Sequence, residues 1–95
     1  MSKTHILTVT YYAKEGFAKA FVEELEKSGV ASAVRGEAGC IHYDYYYSAK
    51  DKNVVFLFEE WESENHQKVH LTQPHIATLK QIKEKYILST ELRVL

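Results

Sequence analysis

Residues 40–61, "CIHYDYYYSAKDKNVVFLFEEW", hold the reading that decides the fold. Two blocks rich in aromatic and β-branched residues, 40–47 and 54–61, flank a polar segment, "SAKDKN". Each block reads as a strand, and the whole as a β-hairpin with a loop of about six residues. Successive side chains of a strand point to opposite faces. Val54, Phe56 and Phe58 therefore point one way, and Val55, Leu57 and Trp61 the other. In the first strand Ile41, Tyr43, Tyr45 and Tyr47 form one row, with Tyr46 opposite. A sheet with one face in water alternates apolar with polar residues, and this hairpin does not. Helices are expected over one face and a second copy of the chain over the other.

Working outward from the hairpin, "HILTVTYY" at 5–12 reads as a strand, broken by Lys14-Glu15-Gly16. From Gly16 to about Val34 apolar residues recur at helical spacing: Phe17, Phe21 and Leu25, then Val22, Val30 and Val34. Gly29 falls inside this helix and weakens it by ~1 kcal/mol relative to alanine. "RGEAG" at 35–39 is a turn. Beyond the hairpin, Ser63 suits the N-cap of a short helix over 64–71. Pro74 suits the first turn of another, with Ile76, Leu79, Ile82, Lys83 and Tyr86 along one stripe. "ILSTELRVL" at 87–95 alternates as a last strand. The order β-α-β-β-α-(α)-β fits a ferredoxin-like α+β domain, an antiparallel sheet with helices on one face, spanning residues 1–95.

Lys+Arg total 12 and Asp+Glu 13, so no net field recruits nucleic acid or anionic lipid. No segment approaches the ~20 apolar residues needed to cross a bilayer. The lone cysteine, Cys40, excludes an internal disulfide, and the N-terminus has no apolar run of signal-peptide length. A cytoplasmic protein is expected. So short a chain buries a modest core, which favours a homodimer.

Rare residue types crowd into 58–75, "FEEWESENHQKVHLTQPH": the only tryptophan, the only proline and three of five histidines. Glu59 and Trp61 share a strand face. His66 and His70 lie on the helix that follows, and His75 opens the next. Helices packed on that face would hang imidazoles over an indole and a carboxylate, a combination suited to proton transfer near neutral pH. His66 and His70 also have the i,i+4 spacing of metal ligands, with Glu59 or His75 as a third. Gln67 follows His66, however, where a metalloprotease motif has its glutamate, and no second ligand cluster exists. Cys40 and His42, two apart, are a weaker nucleophile–base pair than a cysteine packed as a small hydrophobe. With no glycine-rich phosphate loop, neither metal nor organic cofactor is expected.

"GC" at 39–40 with Tyr43, "FEEWES" at 58–63 and "HLTQPH" at 70–75 resemble, in that order, the antibiotic biosynthesis monooxygenase family, and most closely its quinol monooxygenase branch. The resemblance implies a dimeric α+β barrel in which two sheets close face to face and the last strand often reaches across to the partner. It implies a cavity between sheet and helices, and oxidation of a small hydroxylated aromatic by O2 without metal or flavin. Carried onto this sequence, it makes His70 or His75 the base and lets Glu59 orient an imidazole or bond a substrate hydroxyl. Trp61 and Tyr43 would stack on the ring. The heme-degrading branch has a first-strand asparagine where Thr10 stands and a helical histidine near Lys80, and the chain departs from it at both. Thr10 is still expected to line the substrate site. Other readings in the same fold are a ligand-binding or stress-response dimer without turnover, and an isomerase of the autoinducer-degrading branch. Trp61 argues against the latter.

Overall fold

The computed structural model describes residues 4–95. Eight elements follow along the chain: β1 His5–Ala13, α1 Ala18–Lys27, α2 Val30–Arg35, β2 Cys40–Tyr47, β3 Val54–Trp61, α3 Glu64–His70, α4 His75–Tyr86 and β4 Ile87–Val94. The strands make one antiparallel sheet in the order β2-β3-β1-β4. This is the expected ferredoxin-like α+β arrangement.

Register fixes which side chains meet the helices. Leu7 pairs with Glu59 and Val94, and Glu59 pairs with Tyr43, which makes one row across the sheet. Val9, Leu57, Tyr45 and Leu92 make the next, and Tyr11, Val55, Tyr47 and Thr90 the one after. The β1 and β3 members of these rows are buried against Phe21, Leu25, Val30, Val34, Ile76, Leu79 and Ile82. Phe21 meets Tyr11 edge-on, with ring centroids 5.1 Å apart. Burial of so many large apolar side chains stabilises the layer pair, at roughly 1.5–3 kcal/mol each.

Helical cover is uneven. On the opposite face Thr8, Thr10, Tyr12, Val54 and Phe58 are half-buried and Phe56 is exposed. Even on the helix side, β4 lies beyond the roof, and Leu92 and Val94 are 57% and 59% exposed.

Two sequence expectations are corrected. Residues 16–34 form two helices, because Gly29 adopts φ +86°, a left-handed conformation that ends α1 and starts α2. The stripe resets there: Phe21 and Leu25 serve α1, Val30 and Val34 serve α2, and Phe17 is left exposed. Ile41 does not share the row of Tyr43. A bulge between Cys40 and His42 inserts one residue, so Cys40 pairs with Trp61 on the helix face and His42 with Glu60 on the other. Cys40 and His42 therefore face apart.

Candidate active site

The site is built from the far end of β3. Indole Nε1 of Trp61 donates to Glu59 Oε1 at 3.0 Å, and both side chains are buried. Ser63 caps α3 by accepting from the His66 backbone N–H at 3.2 Å. That short helix ends with His70 over the indole, ring centroids 4.8 Å apart and planes 35° from parallel. Tyr43 flanks the same imidazole at 6.1 Å and shares a hydrogen bond with the Tyr45 hydroxyl at 3.0 Å.

Glu37, from the turn between α2 and β2, completes the cluster. Its Oε2 lies 2.9 Å from His70 Nδ1 and 2.6 Å from His75 Nε2. An ionised carboxylate only accepts, so both ring nitrogens donate to it. With the imidazole neutral, this geometry assigns the His70 proton to Nδ1 and leaves Nε2 as an acceptor. Among the described residues no buried side-chain nitrogen or oxygen lacks a partner. Among the described residues His70 Nε2 has no hydrogen-bond partner, so this nitrogen is accessible, and His70 lines a cavity.

The position of the turn depends on Gly39. Its φ is +82°, and a Cβ there would overlap the His66 ring. Glycine thus lets α3 close onto the turn that carries Glu37.

The cavity, about 160 Å³, lies between sheet and helices and is lined by His70, Glu59, Tyr43, Tyr11, Val9, Ile76 and Leu79, with Lys80, Lys83, Thr90 and Leu92 also on its wall. A cavity of roughly 150 Å³ holds a benzene ring, so one aromatic ring fits. Burial pushes the Glu59 carboxyl above its usual range, opposed in part by the Trp61 N–H and by His70. Burial likewise raises Tyr11 and Tyr43 well above the ordinary phenol. The Cys40 thiol is pushed up to about 11, mainly by burial and then by Glu37 and Glu59, the reverse of what a nucleophile needs.

The expected site residues divide. Glu59, Tyr43 and His70 meet at the cavity. Trp61 is 0% exposed and stacks behind His70, away from the cavity wall. His75 reaches Glu37 from outside the cavity. Thr10 pairs with Phe56 and Glu91 on the opposite sheet face, so strand alternation removes it from the site. His66 sits in an outer groove, its Nδ1 2.7 Å from Ser63 Oγ, and is more exposed than His70. Side chains close enough to hold an ion, among the described residues, are Glu37, His70 and His75, with ligand atoms within 4.8 Å of one another. The His66–His70 pair expected from spacing is not that set. Glu37 was missed in the sequence. The available signal was register: residues just before Cys40 lie beside Trp61 if Cys40 pairs with it.

A sheet roofed on one face, with a histidine–carboxylate cluster under the roof, marks a ferredoxin-like α+β domain with a polar interior. Residues 4–81 match the family model for antibiotic biosynthesis monooxygenases, and the chain belongs to that family. Among solved structures it is similar to PA3566 of Pseudomonas aeruginosa (25% identity, TM-score 0.86, covering 100% of this chain and 94% of that one). A proposed antibiotic biosynthesis monooxygenase of Nitrosomonas europaea shares its fold at 17% identity (TM-score 0.88, 100% and 90% covered). Protein SO0527 of Shewanella oneidensis does so at 20% identity (TM-score 0.86, 100% and 91% covered). No curated protein matches the chain. Among the described residues, no helix is long and apolar enough to cross a membrane.

Proposed function

We propose that the protein oxidises a small hydroxylated aromatic, a quinol or polyphenol, with O2 and without metal or flavin. The observation that carries this reading is the state of His70: Nδ1 held by Glu37, Nε2 open to a cavity of one-ring size. A histidine fixed in that tautomer accepts a hydroxyl proton at Nε2, and Glu37 stabilises the imidazolium that forms. The substrate anion passes one electron to O2, and the radical pair recombines as a ring-bound peroxide. Cleavage of the O–O bond and loss of the ring hydrogen leave a quinone and one water for each O2 consumed. Glu59 is suited to protonate the departing oxygen, because burial favours its acid form. Trp61 acts as a platform fixing His70 and Glu59, in place of the ring-stacking role expected from sequence. Dry walls from Val9, Ile76 and Leu79 keep water from the intermediates.

The working unit in this reading is a homodimer in the cytoplasm. Phe56 and its half-buried neighbours on the uncovered face, with Leu92 and Val94, support a second copy as cover. A stable 11 kDa monomer in sedimentation at micromolar concentration would sink that part.

Oxygen uptake with a panel of 1,4-dihydroxybenzenes tests the chemistry. Uptake matched by quinone formation, with His70→Ala lowering turnover about 10²–10⁴-fold and His66→Ala leaving it near wild type, is the expected result. Equal losses for the two variants, or no uptake with any member, would overturn it.

A further inference from the structure

The far end of the cavity has no part in that chemistry. Lys80 and Lys83, one turn apart on α4, line the cavity. They also line the groove of about 290 Å³ that continues from it along β4, past Glu84 and Thr90. Lys83 is half-buried, with Nζ 5.5 Å from the centroid of the Tyr11 ring. Among the described residues, neither lysine has a carboxylate within 4.0 Å, whereas Lys68 and Lys85 do. Two cations a turn apart repel, and burial of one adds a desolvation cost. That cost is offset when an anion binds between them.

Register sets the distance. His70 stands over the Trp61 end of the sheet, near the Glu59–Leu7 row. Lys83 stands over Tyr11, four residues further along β1, or about 13 Å of strand. A ring with its reacting hydroxyl at His70 therefore points its opposite substituent at the lysines.

We propose that the site takes hydroxylated aromatics bearing an oxyanion, a carboxylate or phosphate, on a short chain opposite the reacting hydroxyl, and that Lys83, assisted by Lys80, determines this specificity. The proposal rests on the cavity being the substrate site.

Anaerobic calorimetry separates the two ideas, since binding is read without turnover. The probes are catechol and 3-(3,4-dihydroxyphenyl)propanoate, whose chain lies opposite one hydroxyl, at low and high salt. The expected result is at least about tenfold tighter binding of the carboxylate, a preference that shrinks with salt. Lys83→Met should bring the ratio near one, Lys80→Met should lower it partly, and Lys83→Arg should restore most of it. Equal affinities in the wild type, or a ratio untouched by Lys83→Met in a folded variant, would overturn the proposal. Failure of both probes to bind would remove it along with the site. A carboxylate preference with no oxygen uptake after air is admitted would leave it standing and remove the monooxygenase reading instead.

Discussion

Replacing Glu37 by glutamine tests the site with almost no change in shape. One oxygen of Glu37 accepts from two imidazoles, at 2.9 and 2.6 Å. Hydrogen bonds to a charged group contribute about 1.5–3 kcal/mol and neutral ones about 0.5–1.5, so each bond weakens by about 1 kcal/mol. The pair together should cost about 2 kcal/mol, or about 8–16 °C in Tm for a chain of this size. Turnover should suffer more. If the new amide presents its NH2 to His70, Nδ1 must become an acceptor and the proton moves to Nε2, which then cannot act as a base. The same swap in the Ser-His-Asp triad costs about 10⁴-fold by that route, and the usual range for a lost base is about 10²–10⁴. Oxygen uptake by Glu37→Gln, measured from pH 6 to 10, should show that loss near neutrality. It should shrink toward pH 10, where a phenol-like hydroxyl ionises unaided. A Glu37→Gln protein with unchanged Tm and turnover within threefold of wild type would refute the dyad. So would a loss that stays constant with pH.

Gly39→Ala should be more destabilising than its size suggests, by about 2–4 kcal/mol, from left-handed backbone strain plus overlap with the His66 ring; thermal melts of Gly39→Ala and Gly39→Ala/His66→Ala would show whether removing the ring recovers part of it. Cys40, with a thiol pushed up to about 11, should be alkylated by iodoacetamide at pH 8 about a hundredfold or more slowly than a free thiol. A rate like that of free cysteine would contradict its half-buried setting. Glu59 is raised by burial in the folded protein, so its contribution favours folding at low pH and is lost as pH rises through its folded value. Glu59→Gln should flatten the decline in stability above the ordinary carboxylate range, as read by urea melts at pH 4 to 8.

What the sequence disclosed depended on period. Strand parity placed Glu59 and Trp61 on one face, and the Ser63 cap fixed where α3 begins, which delivered His70 to the indole. Thr10 shows parity ignored. Leu7, Val9 and Tyr11 already claim the inner face of β1, so Thr10 faces away from the cavity. Glu37 belongs to a turn, where no periodicity operates, and only long-range register brings it to His70. The bulge at Ile41 was hidden because an inserted residue leaves composition unchanged. Gly29 was visible, but a glycine within a helical period does not announce the left-handed φ that splits the helix here. The lysine pair reads locally as a solvated helix face, and only the neighbouring sheet makes it the end of a cavity.

The strand order has a consequence for how the chain reaches this state. β1 is made before the other three strands, yet it stands in the middle of the sheet, between β3 and β4. Leu7 cannot find Val94 until the other three strands and the helices between them have been made. Pairings so distant in sequence must meet the loop-closure entropy before any contact rewards it, which slows the search. During translation one rim of β1 stays unpaired with its apolar side chains, open to the same strand of a neighbouring nascent chain. Yield from a fast expression system should therefore respond to temperature and inducer more than native stability alone would suggest.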